Sequence, residues 1–516
     1  MHRLVIALVT LLGLTAGSIV AGYLLLLSGS PDRLAAMAPA GTAAYVNVYL
    51  NPSVGQQLNL EELIGRLPGF ADEASLDAKV DQIIGNLLGG TGIDYEAEVK
   101  PWLGDQLAVA AWPGTAGDSE AVVLVAVKDG QAAADAVGNL VESETAEVVT
   151  VPYRGIDVQT SADTAYAFVD DALVIGPLAE SLHAIIDVAQ GGDSLAGLAA
   201  FGEAMARIPP DHLASAFVNL GALSSDTEGE SDATLTTAGA ALVAEPGGLR
   251  LTGSLPFEGG VGGAANGPSV LADWIAADAL AAAVIFDLPQ TLETTEGVLG
   301  GSAGGEEVLS LLDTVRALAA FGLGLDLDAD LLPLLDREAG VALTDLVGSL
   351  PRGQLILRPA DPQAAEAALD RILDRVAAIG AESRSETREG IEITVVTVPD
   401  LGEIAYAMVD GIVIVGFAVD DVLEAVAAHD GEGNALSTSL AYLDAFALAG
   451  QHAGTEAFVD LGALIELGVL ADAGVGLPDD ARDILSQLGA FGISIPPRAN
   501  FIEFHAAITV PNRGAE

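Results

Sequence analysis

Cysteine is missing from the chain altogether. That absence excludes disulfides, thiolate nucleophiles, Cys-ligated zinc and the acylated cysteine of a lipoprotein. Stability must therefore come from burial, which 516 residues at 51% hydrophobic content can supply in more than one core. Positive charge is also scarce: 20 Lys and Arg stand against 73 Asp and Glu, a net of −53. Electrostatic binding of nucleic acid or of anionic lipid headgroups is disfavoured at that balance. Lysine occurs only at Lys79, Lys100 and Lys128, an arginine bias read as genomic. The acidity itself fits either a saline habitat or a well-hydrated surface around an apolar interior.

What the chain does have is one long apolar run. Leu4 to Leu27 carries no charge between Arg3 and Asp32, and it is long enough as a helix for the roughly 30 Å hydrocarbon core of a bilayer. A cleaved signal peptide needs a shorter apolar region followed closely by a small-x-small site. The best such site, Ala38-Pro39-Ala40, lies far downstream, and Ala21 has Ile19 two positions before it. The run therefore predicts an uncleaved single-pass anchor over residues 1–30, N-terminus in, with the bulk of the chain extracytoplasmic. Gly13, Gly17 and Ala21 form a small-xxx-small stripe that would permit weak self-association.

Sliding the chain along itself reveals a duplication. AFVNLGAL (216–223) recurs as AFVDLGAL (457–464), and AYAFVDDALVIG (165–176) recurs as AYAMVDGIVIVG (405–416). Upstream, Pro101 and Asp129 align with Pro333 and Asp361 at a shared offset. The organisation expected is an anchor, a repeat domain over 31–257, a Gly-rich linker over 258–268, a second repeat domain over 269–511 and a tail over 512–516.

Each repeat reads as α+β. Residues 42–50 alternate like a strand, helical sequence runs from about Leu60 to Leu88, and 106–111 and 121–128 return to β-rich sequence. A helix over 130–141 follows, then strands near 148–152 and 156–160, a hairpin over 166–175 and helices over 178–188 and 195–206. Consecutive strands of this kind favour an antiparallel sheet with helices on one face. Asp410-Gly411 supplies the positive φ of a two-residue turn, so Asp170 and Asp410 are read as turn residues rather than catalysts.

The single N-terminal span, Lys100-Pro101-Trp102-Leu103-Gly104, the AYAFVDDALVIG hairpin and Ser194-Leu195-Ala196 before a helix together resemble the bacterial domain-of-unknown-function family three-three-five-two. The second repeat departs from that pattern, with Leu334 in place of Trp102 and Asp336 in place of Gly104. The resemblance implies a membrane-anchored location and no chemistry.

One polar constellation occurs in both repeats: Asp94, Glu96 and Glu98 match Asp326, Asp328 and Asp330. Calcium sites use acid-x-acid-x-acid spacing. An EF-hand, however, needs Gly at its sixth position and Glu at its twelfth, and Leu331 and Arg337 stand there when Asp326 is counted as the first. These six residues are the candidate cation ligands, against the alternative that they begin a short helix, where the macrodipole favours negative charge. In that alternative they splay into solvent.

Catalytic readings find less. Gly192-Asp193-Ser194-Leu195-Ala196 looks superficially like a nucleophile elbow, but a helix rather than a strand is expected before Ser194, and the second repeat has Ala435 there. No H-E-x-x-H or Walker loop is present, and GGTGID (89–94) lacks the strand-then-helix setting of a dinucleotide fingerprint. His183 is read as a surface or core-edge residue, and His212 and His452 as loop or strand-start residues. The sequence predicts neither enzyme nor cofactor. It predicts a tethered extracytoplasmic interaction or scaffold module binding an unknown protein, with a carrier of an apolar, lipid-like ligand as the alternative and a cation-dependent enzyme behind both.

Overall fold

The computed structural model describes residues 32–67, 78, 81, 93–114, 119–143, 148–161, 164–223, 234–235, 237–258, 269–289, 330–347, 350–378, 380–398, 402–431, 433–450, 454–467, 485, 487–496 and 501–512. Two compact units divide the chain. Unit 1 comprises Met1–Asp226, Leu235–Pro256 and Asn512–Glu516, and unit 2 comprises Thr227–Thr234 and Phe257–Pro511. The apolar run of residues 4–27 lies outside the described residues. Among those that are described, no helix is long and apolar enough to cross a membrane.

Unit 1 runs β1 (Ala44–Tyr49), α1 (Val54–Gly65), β2 (Leu103–Pro113), β3 (Ser119–Val127), α2 (Gly130–Ser143), β4 (Val149–Tyr153), β5 (Ile156–Thr160), β6 (Ala165–Val169) and β7 (Ala172–Gly176). It continues with α3 (Ala179–Ala189), α4 (Ala199–Met205), β8 (Ala214–Asn219), α5 (Leu220–Leu223), β9 (Thr237–Glu245) and β10 (Gly248–Glu258). The strands lie side by side in the order β4-β5-β6-β7-β3-β2-β1-β8-β9-β10, each pair antiparallel. Leu34, Tyr45, Leu124, Ile185, Ile186 and Phe217 share one core between the sheet, α3 and the segment leading into β1.

Unit 2 runs β11 (Ala281–Phe286), α6 (Leu332–Leu335), β12 (Glu338–Val347), β13 (Leu350–Arg358), α7 (Pro362–Ala378), β14 (Glu382–Arg388), β15 (Ile391–Val398), β16 (Gly402–Val409) and β17 (Ile412–Gly416). Then come α8 (Val419–Asp430), α9 (Leu440–Ala449), β18 (Thr455–Asp460), α10 (Leu461–Glu466), β19 (Ala490–Ile495) and β20 (Phe501–Thr509). Its antiparallel order is β14-β15-β16-β17-β13-β12-β11-β18-β19-β20. Read strand for strand, the two orders are the same.

The turns explain why these hairpins close in register. Asp410 and Gly411 sit at φ of 51° and 79° between β16 and β17, and Arg154 and Gly155 at 48° and 84° between β4 and β5. Such left-handed pairs match the twist of a two-residue hairpin. Gly104 occupies an irregularity in β2, where the register with β3 shifts between Leu103 and Leu107. A Cβ there would sit 2.7 Å from the backbone of Ala126, so only glycine permits the approach.

Two sequence expectations are corrected here. Helices are not confined to one face of the unit 2 sheet. Trp274, Ile356, Ile414, Phe446 and Phe458 form a core with α8 and α9, while Leu357 and Val413, pointing the opposite way, are covered by Leu334, Ala365 and Ala368 of α6 and α7. Strands apolar on both faces need a cover on both. The helix expected over 195–206 is instead a 3-10 turn (Leu195–Gly197) and α4, separated by extended Leu198. The backbone before the break is held elsewhere: Ser194 bridges Pro39, and Leu195 N–H donates to Ala38 O at 2.8 Å.

Candidate functional site

The acid run of unit 1 builds a helix start. Asp94 is the N-cap of the short π-helical turn Tyr95–Val99, its Oδ1 accepting from Ala97 N at 3.1 Å, while Glu98 Oε2 accepts from Asp94 N at 2.9 Å. This reciprocal pair satisfies two backbone donors that the turn cannot satisfy itself. Glu96 pairs with Lys100 at 3.2 Å, and Lys100 also bonds Asp81. Trp102 follows, 1% exposed, with its indole N–H donating to Glu98 O at 2.6 Å.

The run of unit 2 is only partly in view, because Asp326 and Asp328 lie outside the described residues. Asp330 does not splay into solvent as the helix-start alternative expects. Its carboxylate is buried between Arg371 Nε (3.4 Å) and Arg375 Nε (3.1 Å), one helical turn apart on α7. A buried carboxylate needs such compensation. Among the described residues, no group of three or more His, Cys, Asp or Glu is placed to hold a metal ion.

The aligned acids and amides shared by the repeats cap helices. Asp129 Oδ1 accepts from Gln131 N and Ala132 N at 3.1 and 3.0 Å, and Asp361 Oδ1 from Gln363 N and Ala364 N at 2.9 and 3.2 Å. Asn219 and Asp460, the one difference between AFVNLGAL and AFVDLGAL, accept from Ala222 N and Ala463 N at 3.1 and 2.9 Å. Asp170, at φ of 48°, is a hairpin turn residue like Asp410. His183 stacks on Tyr153 at 3.7 Å, and His212 donates from Nδ1 to Pro209 O at 2.6 Å and meets the Tyr49 ring edge-on at 5.2 Å. His452 lies outside the described residues.

Sequence reasoning missed the polar cluster on the core face of β1. Tyr45, Asn47 and Tyr49 alternate along this strand and are all buried, with Ser215 of β8 paired to Asn47 and Gln106 of β2 paired to Tyr49. Asp32 Oδ1 accepts from the Tyr45 hydroxyl at 2.8 Å and from Ala35 N at 3.0 Å. Asp32 Oδ2 and both polar atoms of Asn47 are buried without a completed hydrogen bond, although Asn47 lies beside the carboxyl and the Tyr49 phenol and favours the charged form of each. Burial dominates: it raises the Asp32 carboxyl above its ordinary value, lifts Tyr45 well above that of a free phenol and pushes Tyr49 up to about 12. The same register in unit 2 carries Ala282, Val284, Phe286 and Glu456, with Glu456 held by Tyr442 at 3.1 Å. The signal was legible as AYVNVY against AAAVIF, polar alternation in one copy and none in the other.

A second feature belongs to unit 2. On the sheet face away from the α8 and α9 core, Val341 of β12 and Leu355 of β13 are cross-strand partners exposed by 53% and 39%. Their row extends through Val415 on one side and Ala283, Ala457 and Ile493 on the other, apolar at every strand. In unit 1 the register-equivalent pair is Val109 and Val123, and Val123 is buried.

The family model described as "Protein of unknown function (DUF3352)" matches residues 4–507. No curated protein is significantly similar to the chain. Crystal form I of TP0453 matches at 13% identity with a TM-score of 0.24, covering 44% of this chain and 79% of that one. Crystal form III of the same protein matches at 14% identity and a TM-score of 0.24, covering 44% and 81%.

Proposed function

The chain belongs to the DUF3352 family, and from that premise we propose that it is a single-pass, membrane-anchored extracytoplasmic interaction module made of two tandem homologous α+β domains. The anchor rests on the uncharged run of residues 4–27, and the duplication on the recurring motifs and the repeated strand order. The observation that carries the interaction reading is the open apolar row of unit 2 around Val341 and Leu355. Two branched side chains held face up on a rigid antiparallel pair forgo burial in the isolated chain. An apolar patch on a solid sheet suits a protein partner better than a small molecule, which calls for a concave site.

Photo-crosslinking tests this. A benzophenone side chain at position 341 of the full-length protein, irradiated in intact cells, is expected to give one discrete protein adduct that Leu355→Glu abolishes. Adducts with the mass of lipid alone would favour the apolar-ligand reading. No adduct at 341 would contradict both.

A further inference from the structure

Each unit begins with a clasp. In unit 2, Ser269 Oγ accepts from Leu271 N at 3.0 Å, and Glu338 Oε2 accepts from Val270 N at 3.3 Å and from Ser269 Oγ at 3.0 Å. Arg358 neutralises Glu338 from the paired strand at 2.5 Å. In unit 1 the corresponding backbone donor, Arg33 N, bonds Gln106 Oε1 at 3.1 Å, and Asp32 takes the place of Ser269. The two clasps are alike in geometry and opposite in charge placement. Unit 2 puts its acid on the sheet beside an arginine. Unit 1 puts its acid on the incoming segment, beneath the sheet, against Tyr45 and Asn47.

We infer that Asp32 is a proton-operated clasp, which fastens residues 32–38 to the unit 1 sheet when protonated and loosens them when ionised. The geometry supplies the reason. Oδ1 is fully used by Tyr45 and Ala35, while Oδ2 is buried beside the Asn47 amide with no completed hydrogen bond. Asn47 beside it is neutral, and its pull toward the charged form is outweighed by burial. Ionised, the carboxylate carries buried charge with no cation against it among the described residues. The groups facing it do not compensate. Tyr45 and Tyr49 of β1 stay neutral, Gln106 of β2 carries no charge, His212 touches the far side of Tyr49, and the Arg33 guanidinium is turned to Asp105 at 2.6 Å.

The sign follows from linkage. The fastened state holds the proton more tightly than the loose one, whose carboxyl has the ordinary value of 3.8. The clasp is therefore at full strength below that value, weakens as pH rises toward the raised value and is constant above it. One proton limits the change to about tenfold per pH unit. Since the segment lies a few residues after the run of residues 4–27, its loosening would lengthen the tether that holds the module, a consequence that rests on the anchored reading above.

Hydrogen exchange of the full chain in lipid nanodiscs, corrected for intrinsic pH dependence, tests the clasp at the amides of Arg33 to Ala38. Their protection is expected to fall by up to about tenfold per pH unit on raising pH from 4, then level off. Asp32→Asn should stay protected with no pH response. Asn47→Val, which installs the residue found at Val284, removes a group favouring the carboxylate and should move the fall to higher pH. An unchanged pH dependence in Asp32→Asn, or none in the wild type, would overturn the clasp and leave the anchor standing. A wild-type response in a chain that leaves the membrane fraction would overturn the anchor and leave the clasp.

Discussion

At the scale of single residues, the family motif Lys100 to Gly104 turns out to be structural at each polar and aromatic position. Lys100 neutralises Asp81 and Glu96, Trp102 fills the core and donates to Glu98 O, and Gly104 admits the Ala126 backbone. Leu334, the unit 2 counterpart of Trp102, is also buried, whereas Asp336 in place of Gly104 caps the chain by accepting from Ala360 N at 2.7 Å. Removing the indole creates a large cavity, so Trp102→Ala should destabilise unit 1 by about 3–5 kcal/mol. Trp102→Phe keeps most of the volume and orphans one carbonyl, at a cost of about 1–3 kcal/mol. Chemical denaturation of the full chain in detergent measures both; equal effects would show that the hydrogen bond, not the volume, matters. The motif was visible in the sequence, but its reason was not, because Asp81, Glu98 and Ala126 meet it only through the fold.

At the scale of elements, the hairpins were the most legible part. Two-residue turns with positive φ and alternating β-branched residues dictate their geometry locally, and β4 to β7 lie within a residue or two of their expected places. The helices were less so. The first was expected from about Leu60, yet α1 starts at Val54 because Ser53 Oγ accepts from Gln56 N at 3.2 Å and ends at Gly65; most of 68–92 lies outside the described residues. The broken helix at Leu198 depended on a bridge to Pro39 that no local pattern encodes. The caps give a clean prediction. Asn219→Asp should leave stability within a few tenths of a kcal/mol, since Asp460 does the same work, whereas Asn219→Ala should cost about 1 kcal/mol. Thermal melting decides it, and a strongly destabilised Asn219→Asp would contradict the shared capping role.

At the scale of the whole molecule, composition set the expectation against polyanionic partners, and periodicity spoke to how the chain is organised. The alternation of Tyr45, Asn47 and Tyr49 was readable along β1, but Asp32 joins them from a lead-in segment, and only the fold defines which face of the strand is inward. The open row of unit 2 was hidden for the same reason: Val341 and Leu355 read as ordinary strand residues until their face is known. The chain's lack of cysteine allows the proposed tethered, outward-facing arrangement to be probed directly. Single-cysteine variants Leu178→Cys and Val341→Cys, both at exposed sites, can be treated in intact cells and after purification with a maleimide that does not cross membranes. The account predicts rapid labelling of Leu178→Cys in intact cells, and of Val341→Cys only after purification strips its partner. Labelling of Leu178→Cys only after lysis would contradict the extracytoplasmic location, and equal labelling of both sites in cells would contradict the interaction face.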